Sequence, residues 1–161
     1  MTLLAKMKIS ILCIVPVLLL MSLTSCEIET SENGDLDGYW HLEQVDTLAT
    51  GGVCDYRNQR VFWGIQHKLI SVSDFDTFGS WLGYYFRFNQ TDDSLILSKP
   101  YKNNWHQDYG EFGGDIPLTV INDTVRRCGI NNLVEPFYKE KLSGSKMILR
   151  TKGLRLNFKK F

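Results

Sequence analysis

The chain has no surplus of charge of either sign: 18 lysines and arginines meet 18 aspartates and glutamates. That balance excludes the basic field a nucleic-acid binder needs. It also excludes the self-repulsion that keeps a highly charged chain unfolded. Proline is scarce, at four residues, and there is no repeat or low-complexity stretch, so neither a polyproline spacer nor a repeat array is encoded. The three histidines, His41, His67 and His106, lie far apart and lack metal-ligand spacing such as His-Glu-x-x-His. Asn33, Asp35, Asp37 and Gly38 fall on the spacing of a calcium loop. The closing position holds Gln44, which cannot supply the bidentate carboxylate that loop requires. No nucleophile motif, phosphate-cradling glycine loop or Cys-x-x-Cys is present. The expectation is therefore of no metal, no cofactor and no enzyme activity, with a small hydrolase built on unrecognised carboxylates as the third reading.

What is present begins at the N-terminus. Lys6 and Lys8 precede an apolar run, Ile9 to Leu20, that is short for a membrane span and interrupted by Pro16. Leu23-Thr24-Ser25-Cys26 closes that run and looks like a lipobox, the bacterial signal for cleavage and lipidation of the new N-terminal cysteine. Residues 1–25 are thus expected to be a lipoprotein signal peptide and Cys26 the lipidation site. Several acyl chains on one cysteine would make membrane attachment effectively permanent. Residues 26–35 are acidic and polar and end near glycine, which predicts a flexible tether. The expected setting is the cell envelope, anchored in the outer membrane and facing either side. In that oxidising compartment Cys54 and Cys128 could form a disulfide, but two buried free thiols are the preferred reading.

From residue 36 to residue 161 the pattern is strand after strand. Gly38 to Leu48 places Trp40, Leu42 and Leu48 on one face. Arg60 to Val72 does the same with Val61, Trp63, Ile65 and Leu69, and Ser80 to Asn89 with Leu82, Tyr84, Phe86 and Phe88. Such period-2 alternation marks strands with one buried face. Thr91-Asp92-Asp93 turns the chain into Ser94 to Lys99, completing a hairpin. Pro100 to Asp115 is rich in asparagine, glycine and aromatics and reads as a long loop. Ile116 to Ile121, Pro136 to Leu142, Lys146 to Thr151 and Leu154 to Lys160 read as further strands, and Thr124 to Gly129 as one helical turn. About eight strands joined by short connections must close on themselves or stack. The fold class expected is all-β, an antiparallel up-and-down barrel.

Two stretches carry a resemblance. Asp37-Gly38-Tyr39-Trp40, opening the first strand, matches the Gly-x-Trp motif of lipocalins. The C-terminal stretch Leu142 to Arg150 with Leu154 to Phe161 is similar to the final hairpin of bacterial lipocalin-like, calycin-type lipoproteins of Gram-negative gut bacteria. The resemblance implies a barrel able to hold a small apolar molecule, with Trp40 packed across its closed end and a late arginine, here Arg155, stacked on that tryptophan. The chain departs from the pattern in showing no legible helix near its C-terminus.

Two candidate ligand sites emerge. Trp63, Tyr84, Phe86 and Phe88, turned inward, would line an apolar pocket for a small hydrophobic molecule, or simply fill the core. Tyr101 and Trp105, set among Asn103, Asn104, Gln107 and Asp108, would suit a glycan or protein recognised at the surface over a filled barrel, or form a lid. The first-choice function is a lipid-anchored extracytoplasmic binding protein with a small hydrophobic ligand; the alternative is a surface interaction module. Mass spectrometry of the protein taken from its own membranes should find residues 1–25 gone and Cys26 acylated. An unmodified mature chain in the medium would remove the anchor.

Overall fold

The computed structural model describes residues 31–78, 83–104 and 114–161. Cys26 and Trp105 lie outside the described residues. Among the described residues ten strands occur, in the order β1 (Gly38–Thr47), β2 (Gly52–Asp55), β3 (Val61–Gln66), β4 (Leu69–Asp74), β5 (Tyr84–Gln90), β6 (Ser94–Lys102), β7 (Ile116–Pro117), β8 (Glu135–Leu142), β9 (Lys146–Arg150) and β10 (Leu154–Lys160). Two short helices, α1 (Phe75–Phe78) and α2 (Asp123–Arg127), sit in the connections. Eight of the strands pair antiparallel in the order β1-β3-β4-β5-β6-β8-β9-β10, and β10 pairs back onto β1. The sheet is thus a closed up-and-down barrel. β2 extends the second half of β1, and β7 adds two residues to β6.

The inward row explains the closure. Trp40, Leu42, Val61, Trp63, Ile65, Ile70, Val72, Phe86, Leu95, Leu97, Phe137, Leu149, Leu156 and Phe158 are buried together in one core. Burial of this much apolar surface outweighs the entropy of ordering the strands. Two expected positions fall elsewhere. A bulge at Glu43 shifts the β1 register between Leu42 and Gln44, so Val45 turns inward and Leu48 is exposed. Arg60 to Val72 is not one strand but a hairpin turning at His67-Lys68, with His67 at φ 52°. That turn reverses the alternation, and Leu69 faces outward while Ile70 and Val72 face the core. β2 carries no sequence signature, because all four of its residues are exposed and leave no alternation to read.

The turns at residues 67–68, 91–93 and 143–145 mark one end of the barrel, and residues 31–37 are tied across it. Ser31 Oγ donates to Asp37 Oδ1 and accepts from the His67 N–H, both within 2.7 Å. Asn33, itself buried, donates from Nδ2 to the His67 carbonyl. Residues 31–35, at the end of the expected tether, are tied to the barrel by these bonds. Trp40 fills this end and donates from Nε1 to the Leu36 carbonyl at 2.8 Å. Its ring partner is Lys160, with Nζ 4.9 Å from the ring centroid, and not Arg155. Arg155 lies five residues earlier on β10, roughly 17 Å along the strand, and binds Glu140 at 2.6 Å instead. Gly38 is glycine for the same reason: at φ 128° a Cβ there would sit 2.5 Å from the Lys160 side chain.

The opposite end is stoppered by the β6–β8 connection. Ile121, Val125, Cys128 and Ile130 are buried in the barrel core. Gly129, at φ 88°, packs so close to Leu156 that no Cβ fits. Asn122 caps α2 through the Val125 N–H and donates to the Tyr84 hydroxyl at 2.9 Å. Arg127 pairs with the buried carboxylate of Asp74 at 3.2 Å. Cys54 and Cys128 form no disulfide; Cys54 is exposed on β2 and Cys128 is buried in the stopper. Replacing Trp40 with alanine removes a fully buried ring and strands the Leu36 carbonyl, and should cost about 3–5 kcal/mol in urea unfolding.

Candidate ligand-binding surface

Trp63, Tyr84, Phe86 and Phe88 all point into the barrel and are buried. Trp63 sits at the centre, its ring 5.0 Å from Phe158 and 5.7 Å from Phe137. With Trp40, Phe86, Phe137 and Phe158 essentially without solvent contact, these side chains occupy the barrel's interior. The Trp63 Nε1–H is buried and has no hydrogen-bond partner among the described residues. Tyr101 is not brought to this group. It lies on the outer face of β6, so the sheet itself separates the two sets of candidates.

The outer face holds what sequence reasoning missed. Strand register lines up Tyr39, Gly64, Ser71, Tyr85 and Tyr101 in one row across β1, β3, β4, β5 and β6. Two clefts open along it. The first, about 730 Å³, lies over Gly64, Ser71 and Leu69, with Tyr39 on one side and His67, Lys68 and Arg87 on the others. The second, about 720 Å³, is bounded by Tyr85, Tyr101, Arg87, Lys99, Leu69 and Asp115. They share Leu69 and Arg87, a cross-strand pair that forms a saddle between them.

The walls are fixed before any ligand arrives. Phe62 stacks on the Tyr39 ring at 4.8 Å, and Phe161 meets both rings edge-on. Asn103 Nδ2 donates to the Tyr85 hydroxyl at 3.2 Å. Such support favours binding by sparing the entropy of ordering the site later. Burial raises the Tyr39 phenol above its usual value; it raises Tyr85 as well, with help from the Asp115 carboxylate. Both rings are therefore neutral donors at physiological pH. A sequence signal for this row exists in the doublets Tyr39-Trp40, Phe62-Trp63 and Tyr84-Tyr85. On a strand only one ring of each doublet can enter the core, and its neighbour must face outward.

A family model described as the lipocalin-like domain matches residues 19–161. The chain belongs to the lipocalin-like domain family. Among solved structures, this lipocalin-like barrel resembles a lipocalin-like protein from Bacteroides uniformis at TM-score 0.57 and 21% identity, over 80% of this chain and 100% of that one. It also resembles an uncharacterized protein from Bacteroides eggerthii at TM-score 0.51 and 18% identity, over 78% and 98% respectively. At these identities the likeness shows the lipocalin-like fold alone. No curated protein matches the chain.

Burial also holds the Tyr56 phenol above its usual value and pushes the Cys128 thiol up to about 12. Tyr39, Tyr56, Tyr85 and Cys128 thus all bind their protons more tightly folded than unfolded. Their contribution is complete below the unfolded thiol value of about 8.5 and is lost as pH rises through the folded values. Urea midpoints measured from pH 8 to 11 should fall steadily; a flat profile would contradict the assignment.

Proposed function

We propose that this lipocalin-like protein is a lipid-anchored binding module of the cell envelope, held in the outer membrane through Cys26, that captures a small ligand without making or breaking bonds. The barrel serves as a solid scaffold and the two-lobed outer cleft as the ligand site. The observation that carries this reading is the row Tyr39-Gly64-Ser71-Tyr85-Tyr101, in which ring walls flank small floor residues. Concave sites with aromatic walls and a few convergent polar groups are how small-molecule sites are usually built.

A second reading keeps a small hydrophobic molecule inside the barrel, behind the stopper of residues 121–130. It is favoured by the unpartnered Trp63 Nε1–H, since an unsatisfied buried donor costs about 1–3 kcal/mol and an acceptor on a ligand would offset that cost.

Amide chemical-shift mapping against a panel of small glycans and apolar metabolites separates the two. Binding at the cleft should shift Gly64, Ser71, Tyr85 and Arg87 together. Shifts confined to Trp63, Phe86 and Val125, abolished by Trp63→Phe, would transfer the site to the interior.

A further inference from the structure

We propose that the outer cleft takes an anionic saccharide, a short uronate-bearing oligosaccharide with one sugar ring in each lobe and a carboxylate on Arg87. This rests on the outer cleft being the ligand site and adds the chemical class of what it binds.

The charge pattern supplies the first argument. The chain has seven arginines, and six of them, Arg57, Arg60, Arg126, Arg127, Arg150 and Arg155, are ion-paired with carboxylates. Arg87 alone has no such partner among the described residues, and it sits at the saddle common to both lobes. Lys68 borders the first lobe and Lys99 the second. The two lining carboxylates are held within the protein but keep their charge: Asp37 accepts from Ser31 and Asn33, and Asp115 from the Asn104 N–H at 3.1 Å, so the three cations face two carboxylates and the balance is positive. The site therefore presents cations to an incoming anion. A guanidinium fork fits a planar carboxylate in bidentate fashion, which a lysine cannot do.

Shape supplies the second. A pyranose offers a flat apolar C–H face and a rim of hydroxyls. Tyr39, with one face taken by Phe62, lines one lobe and Tyr85 with Tyr101 line the other, which puts rings in both lobes for those faces, while Ser71 and the phenol hydroxyls can meet the rim. Gly64 lets the Tyr39 ring lie against the sheet as the wall of the first lobe: a Cβ there would press on that ring at 3.2 Å. Tyr39 and Tyr85 stand three strand positions apart, about 14 Å at ordinary strand spacing. That span calls for more than one sugar, and Arg87, two residues beyond Tyr85 on β5, borders both lobes.

The test is calorimetric titration of the mature protein with tetragalacturonate and with its full methyl ester, at low ionic strength. The acid should bind more tightly than the ester, and Arg87→Gln should bring the two level by weakening the acid about ten- to a hundredfold. Arg87 is exposed, so the variant should melt like the parent. Ser71→Trp, which fills the floor, should weaken both ligands alike. Equal binding of acid and ester, or an unchanged Arg87→Gln, overturns the anionic class; if Ser71→Trp still blocks the ester, the cleft itself survives. Absence of binding by either ligand, with no shift at Gly64, Ser71 or Tyr85 in the chemical-shift panel, removes both.

Discussion

Seven residue pairs, from Trp40–Lys160 to Thr47–Leu154, join the last strand to the first. Every other property of the molecule depends on that seam. Closure leaves the barrel strands without free edges, which removes the usual route to edge-to-edge aggregation. It also fixes the bore. Eight strands enclose a space that side chains can just fill, and here Trp40, Trp63, Phe86, Phe137 and Phe158 do so from the inside. The same register that closes the sheet carries Lys160 across Gly38 to the Trp40 ring, so the Gly-x-Trp motif and the C-terminus act as one unit.

A filled bore changes where binding chemistry can be placed. The polar and aromatic side chains not needed for packing are displayed on the outer face, and strand pairing sets them in line without any loop taking part. Tyr39, Ser71, Tyr85 and Arg87 are thus held on strands, where positions are more precise than on a connection. The two ends are shut by the chain's own segments, residues 31–37 at one and 121–130 at the other. Each is fastened by side-chain hydrogen bonds in addition to apolar contact.

Much of this was legible in the order of residues, and for a physical reason. Inward-facing strands obey a period of two, so Trp63, Phe86 and Phe88 announce themselves. The barrel results from the number of such strands and the shortness of their connections. The features that stayed hidden are those that break the period. The bulge at Glu43 and the turn at His67-Lys68 each reverse the parity of the residues beyond them, which misplaced Leu48 and Leu69. The family resemblance points to Arg155 as the partner of Trp40, but strand register sets Lys160 opposite it. The outer row was hidden for a different cause. Its members come from five strands, and nothing in a linear chain tells which will become neighbours across a sheet.

The bulge at Glu43 carries a wider consequence. β1 shares one edge between two strands, β3 along its first half and β2 along its second, while β10 holds the other edge throughout. Long surface connections in general can grow or shrink at little cost to the strands they join. Between Leu42 and Val45 the chain has no such freedom: losing or gaining one residue there would turn half a strand inside out against two neighbours at once.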